Sequence, residues 1–147
     1  MKVKFYDFVE DSLLKFAVII SRTDNKWVFC KHKQRNTLEI PGGHREPGEK
    51  IEDTARRELY EETGAIDYSI KPFCVYSVTA SDIFNGQETF GMLYVAEIKE
   101  FEDTLHSEME KIIVTDSLPK DWTYPAIQPL MIQEYQKRNN EHLPLQK

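Results

Sequence analysis

Residues 38–65 read LEIPGGHREPGEKIEDTARRELYEETGA, and the punctuation of this stretch decides the fold. Leu38 to Ile40 is a short apolar strand signal. Gly42-Gly43 and Pro47-Gly48 supply turn chemistry, because glycine reaches backbone shapes that bulkier residues resist and lets a loop fold closely onto itself or a ligand. Glu49, Glu52 and Asp53 put negative charge where a helix N-terminus favours it, and Gly64 suits the C′ position that ends that helix. Ile51, Ala55 and Leu59 recur every four residues, an apolar stripe for packing on a sheet.

Within that helix Glu58, Glu61 and Glu62 stand at i, i+3 and i+4 and share one face beside the stripe. Carboxylates held that close repel one another, which is no route to a stable fold. A bound divalent cation, rather than a cationic side chain, removes the conflict, and hard carboxylate oxygens suit Mg²⁺ or Mn²⁺. The plain alternative is a solvated helix laced by the pairs Glu52–Arg56, Asp53–Arg57 and Arg57–Glu61. The Gly/Pro turn at its fixed distance upstream favours the metal-binding face.

Residues Gly43 to Ala65 resemble the Nudix box, a pattern of Gly, five residues, Glu, seven residues and then Arg-Glu-aliphatic-any-Glu-Glu-any-Gly-aliphatic. Gly43, Glu49, Arg57, Glu58, Glu61, Glu62 and Gly64 fill every fixed position. Ala65 is smaller than the usual aliphatic residue, a matter of packing rather than chemistry. The resemblance implies an α/β Nudix fold, a three-layer α/β/α sandwich around a mixed sheet, with residues 1–147 as a single Nudix hydrolase domain.

It also implies Mg²⁺-dependent hydrolysis, with Mn²⁺ as a substitute, of a phosphoanhydride bond in a nucleoside diphosphate linked to another moiety. Nucleoside triphosphates, oxidised nucleotides, ADP-ribose and nucleotide sugars all fall in that class. Glu61 and Glu62 become direct metal ligands, with the Gly43 carbonyl as a third. Glu58 is either a further ligand or the general base, Arg57 orients a glutamate, and Glu49 and Gly64 are structural. Family members often recruit an acid from outside the box; Glu108 holds that position, and Glu110 is its alternative. Homodimers are frequent in the family, so self-association stays open. A module of the same fold that senses a nucleotide without cleaving it, or an isomerase built on it, are rival readings. The complete set of box glutamates weighs against both.

Upstream of the box, Leu14 to Ser21 is a near-continuous apolar run that reads as a central strand, and Trp27 to His32 returns from the polar turn Thr23–Lys26 as a hairpin. Val3, Phe5 and Phe8 mark an edge strand or lead-in. Lys31, His32, Lys33 and Arg35 form a cationic run, with Arg35 the first choice to meet substrate phosphate; His44 and Arg45 in the box loop are further candidates. Downstream, residues 65–80 read as two strand segments broken at Pro72. A turn at Ser81 to Gln87 leads into a strand over Glu88 to Lys99, with Tyr94 and Ala96 on one side and Leu93, Val95 and Ile98 on the other. Phe101 to His106 is a polar loop, Lys111 to Val114 a last short strand, and a helix opens at Tyr124-Pro125 and runs to about Arg138 before a fraying tail. Trp27, Phe84, Tyr94 and Tyr124 are the aromatics offered for stacking on a nucleobase.

The chain has 147 residues, 40% of them hydrophobic, enough for one domain with a substantial core. Nineteen basic against 25 acidic residues give a net charge of −6, which disfavours a nucleic-acid polymer as partner but not a small phosphorylated molecule. No apolar run reaches the roughly eighteen residues of a membrane span, and the start Met1-Lys2-Val3-Lys4 is no signal peptide. Cys30 and Cys74 are solitary in apolar runs and read as buried free thiols of a reducing cytoplasm.

Overall fold

Two central strands with apolar residues on both faces set the architecture. The computed structural model describes residues 1–82, 84–105 and 108–142, apart from the side chains of Phe84 and residues 140–142. Strands β1 (Lys2–Tyr6), β2 (Leu14–Thr23), β3 (Lys26–His32), β4 (Leu38–Glu39), β5 (Gly42–His44), β6 (Ala65–Thr79), β7 (Thr89–Phe101) and β8 (Met109–Thr115) are joined by helices α1 (Ile51–Thr63) and α2 (Gln128–His142). They form one mixed sheet in which β2 and β7 pair in parallel at the centre and β1 and β6 extend it antiparallel on one side.

Alternation divides the core between two layers. Ala17, Ile19, Tyr94, Ala96 and Ile98 pack with Ala55 and Leu59 of α1, while Val18, Ile20, Leu93 and Val95 pack with Met131 and Ile132 of α2. Ile98 therefore lies with Ala96 rather than with Leu93 and Val95, as the period of two requires. Leu59 is completely buried, which removes about 1.5–3 kcal/mol worth of apolar surface from water. Gly64 ends α1 in the left-handed conformation (φ 78°), its N–H donating to the Tyr60 carbonyl at 2.9 Å.

The other side of β2 forks. Near the hairpin, where Asp24 and Asn25 both hold positive φ, β2 pairs with β3 through Ser21 to Thr23. Further back, Phe16 to Val18 pair with β5 instead, and β3 diverges to pair with β4 and β8. The linker Ile40-Pro41 lies in the fork, with the Ile19 N–H donating to the Pro41 carbonyl at 2.8 Å. This split puts the box loop at the sheet centre.

Three expectations are corrected. The segment around Pro72 is not a break: β6 is continuous, and a register shift between Pro72 and Cys74 absorbs the missing N–H. Helix α2 begins at Gln128, not at Tyr124-Pro125, because Tyr124 to Ile127 form a turn whose Tyr124 carbonyl accepts from Ile127 and Gln128. It also runs on to His142 rather than ending near Arg138; the tail beyond, like His106, lies outside the described residues.

Candidate active site

The box loop and α1 face each other across a space that only a glycine leaves open. A β-carbon on Gly43 would fall 2.1 Å from Oε2 of Glu58, so the Glu58 carboxylate rests on the loop backbone. Beside it, the Gly42 N–H donates to Oε1 of Glu62 at 2.9 Å. Burial and the neighbouring Glu58, Glu39 and Glu61 charges push the Glu62 carboxyl up to about 8, against the pull of the Gly42 bond. Glu58 is raised as well, first by burial and then by Glu61, while Arg57 pulls it down. Glu61 is the most exposed of the three, its side chain 45% accessible.

Arg57 is the hub of the loop. Its Nε and Nη2 grip the two oxygens of Glu49 at 2.6 and 3.0 Å, its Nη2 also reaches the His44 carbonyl at 3.0 Å, and its Nη1 reaches Glu58 at 3.1 Å and Glu61 at 3.3 Å. Glu49 in turn accepts from the Thr54 hydroxyl and the Glu46 N–H, and the Arg57 bonds hold its carboxyl down at about 2. The expected pair Asp53–Arg57 is not among these contacts, whereas Glu52–Arg56 and Arg57–Glu61 do form. A cationic side chain thus shares in balancing the acidic face, alongside whatever cation it binds. Arg57 reaches two of its members because guanidinium spans both the adjacent position and i+4.

The structure draws Glu58, Glu61, Glu62, Arg57, Gly43 and Glu49 together. It commits the other named residues elsewhere. Arg45 staples the loop to residues 11–14, meeting Asp11 at 2.9 Å and the carbonyls of Asp11, Leu14 and Glu49. Arg35 bonds Glu39 at 3.3 Å. Glu108 meets His32 at 3.1 Å and Glu110 meets Lys31 at 2.8 Å, so acids of β4, of β8 and of the residue before β8 partner the cationic run. His44 stacks on Phe16 with ring centroids 4.5 Å apart.

Among the described residues no three His, Cys, Asp or Glu side chains already stand in coordination geometry. The donor set nonetheless fits a hard divalent cation: three carboxylates on one helix face, two of them (Glu58 and Glu62) raised by burial and neighbouring negative charge, Glu58 against the Gly43 backbone, and no sulfur or imidazole among them.

Next to Gly42 and Gly43 opens a cavity of about 320 Å³ on the α2 side, walled by Phe16, Tyr76, Tyr124, Ile127 and Met131, with Glu39 and Gln128 also at its lining. Of the aromatics named from sequence, only Tyr124 lines it. Trp27 and Tyr94 are buried in the two cores, and the Phe84 side chain is outside the described residues. Sequence reasoning missed Phe16, Tyr76 and Gln128, whose patterns are those of ordinary core positions. Glu39 carried a signal, an acid in an apolar strand next to Pro-Gly-Gly, that its 6% exposure now makes plain.

Comparison with known proteins places the fold. Over 88 residues the chain is 35% identical to a protein of Bacillus subtilis named putative 8-oxo-dGTP diphosphatase YtkD, an alignment spanning 60% of this chain and 52% of that one. The chain thus matches only about half the length of that curated relative. Among solved structures, a mutant of the Bacillus subtilis pyrophosphohydrolase BsRppH superposes with a TM-score of 0.75 at 24% identity, covering 92% of this chain and 90% of that one. The NUDIX domain of Shewanella oneidensis NrtR, solved with ADP ribose, gives 0.62 at 17% identity, covering 90% and 93%. These two likenesses establish the fold. The family model for the NUDIX domain matches residues 12–122, and the chain accordingly belongs to the NUDIX family.

Proposed function

We propose that the protein is a pyrophosphohydrolase that cleaves a phosphoanhydride bond in a nucleoside diphosphate linked to another moiety, using Mg²⁺ or Mn²⁺. The observation that carries this reading is the adjacency of the Glu58/Glu61/Glu62 face, of which Glu58 and Glu62 rest on the Gly42-Gly43 backbone, to a largely apolar cavity of nucleobase size lined by the same two glycines. The names of the similar proteins, an 8-oxo-dGTP diphosphatase and a pyrophosphohydrolase among them, support a nucleotide-type substrate.

Glu61 and Glu62 would hold the cation with the Gly43 carbonyl, and Glu58 either joins them or takes the proton of the attacking water. The cation, when bound, supplies charge neutralisation for the diphosphate and acidifies a water. Arg57 orients Glu58 and Glu61 and ties them to Glu49, which fixes the loop. The cavity would seat the base, with Tyr124 and the Phe16–His44 pair at its walls and rim. Arg35 and Arg45 could reach phosphate only by leaving Glu39 and Asp11. Glu108 or Glu110 could add a ligand only by leaving His32 or Lys31.

Residues 1–147 act as one domain in this reading, because β1 and α2, which lie largely outside the matched segment, pack on the same sheet. Among the described residues no helix is long and apolar enough to cross a membrane. A cytoplasmic setting fits the free, buried thiols of Cys30 and Cys74.

The test is a panel of nucleoside triphosphates, oxidised nucleotides, ADP-ribose and dinucleoside polyphosphates with Mg²⁺ and with Mn²⁺. Product analysis in isotopically labelled water identifies the bond cut. Metal-dependent turnover of at least one member is expected. Tight binding across the panel with no cleavage would assign the protein instead to nucleotide sensing.

A further inference from the structure

Three consecutive residues in the fork of the sheet give their main-chain groups to three different elements. Ile40 is held by Gln128, the first residue of α2: its N–H donates to Oε1 at 2.8 Å, and Nε2 of the same amide donates back to its carbonyl at 3.5 Å. The Pro41 carbonyl accepts from Ile19 of β2, and the Gly42 N–H donates to Glu62 of α1. The Gln128 amide thus acts as a strand neighbour would, offering one acceptor and one donor to a single residue. Gln128 is only 4% exposed.

We propose that Gln128 is a positioning residue that sets the orientation of Glu62 through the Ile40–Gly42 linker. Proline between the two anchors has a fixed φ, which leaves fewer torsions to absorb a shift of Ile40 before it reaches Gly42. Gln128, Ile127 and Met131 also line the cavity. A ligand seated against the start of α2 therefore bears on the same linker that carries the Glu62 contact. The catalytic consequence rests on the hydrolytic reading above, whereas the mechanical link from Gln128 to Gly42 does not.

The test is Gln128→Met, which keeps the side-chain length lining the cavity and removes both hydrogen bonds, compared with Ile132→Val, a core change one turn further along the same helix that removes no hydrogen bond to the linker. For Gln128→Met, kcat falls about tenfold to a hundredfold with KM unchanged, as expected when a catalytic group is misplaced while substrate affinity is kept. Hydrogen exchange of the Gly42 amide accelerates in this variant and not in Ile132→Val. An unchanged kcat, a rise in KM alone, or an unaltered Gly42 amide would overturn the proposal. Should the unmodified protein turn over no nucleotide, the hydrolytic reading fails and the Gly42 exchange still judges the link. Should Gln128→Met not fold, exchange in the unmodified protein decides: joint opening of the Ile40 and Gly42 amides supports the link, and independent opening refutes it.

Discussion

Gly43 and Glu58 occupy the same space: a β-carbon on the one would lie 2.1 Å from a carboxylate oxygen of the other. The carboxylate cannot rest on the loop unless that residue lacks a side chain. The glycine that opens the box motif is therefore a condition on where Glu58 points, as much as on the turn itself.

Gly43→Ala should consequently act on catalysis more than on folding. Glu58 must swing away, and misplacing a reacting group by about an ångström costs on the order of a hundredfold in rate. Turnover should fall by about that factor while the circular dichroism spectrum stays unchanged. Equal activity in the alanine variant would show that the Glu58 position is irrelevant.

Glu62 carries a second, opposed pair of effects. Its folded carboxyl is raised to about 8, above the ordinary value near 4.3, so the metal-free fold loses stability as pH rises from about 4 through 8. Gln at this position keeps an acceptor for the Gly42 N–H and cannot ionise. Glu62→Gln should therefore unfold at higher temperature than the unmodified protein at pH 8 without metal, yet show no turnover. Added Mn²⁺ should raise the melting temperature of the unmodified protein and not that of the variant. Glu61→Gln should also abolish turnover with the fold kept. Full activity in both variants would remove the metal assignment.

Glu49 shifts the other way. Arg57 holds its folded carboxyl at about 2, below the ordinary value near 4.3, so the stability it contributes is present above that ordinary value and is lost as pH falls toward 2. The urea midpoint of Glu49→Gln should lie below that of the unmodified protein at pH 7, and the gap should shrink steadily as pH falls from about 4 toward 2. A gap that persists in acid would mean that Glu49 acts through packing rather than charge.

The two cysteines should be dispensable for turnover. Cys30 is fully buried, its Sγ donating weakly to the Glu62 carbonyl at 3.4 Å, and burial drives its thiol well up; Cys74 is raised to about 11, also by burial. Neither presents a thiolate near neutral pH. Cys30→Ala and Cys74→Ala should keep kcat within about twofold and each cost about 1 kcal/mol from the vacated volume. Both thiols should react with a maleimide only after denaturation. Loss of turnover in a folded Cys variant would point to thiol chemistry.

Much of the site was legible because its signals are local. Ile51, Ala55 and Leu59 mark the buried side of α1, Gly64 its end, and the i, i+3, i+4 spacing the shared face of the glutamates. The hairpin at Asp24-Asn25 and the buried core of β2 and β7 were equally local. What failed depended on partners far along the chain. Lys31 and His32 read as part of a free cationic run until Glu110 and Glu108 came to stand beside them. Trp27 and Tyr94 read as stacking candidates until the sheet buried them.

By itself, then, the sequence determined the helix that carries the acids, the turn in front of it and the alternation that puts a layer on each face of the sheet. Those features follow from backbone geometry and periodicity within a few residues. The tertiary structure alone decided that β2 would fork, that Glu108 and Glu110 would meet His32 and Lys31, and that Gln128 would reach across to Ile40. Those pairings join residues whose separation along the chain says nothing of their distance in space. They are fixed only when buried donors and acceptors must all find partners at once.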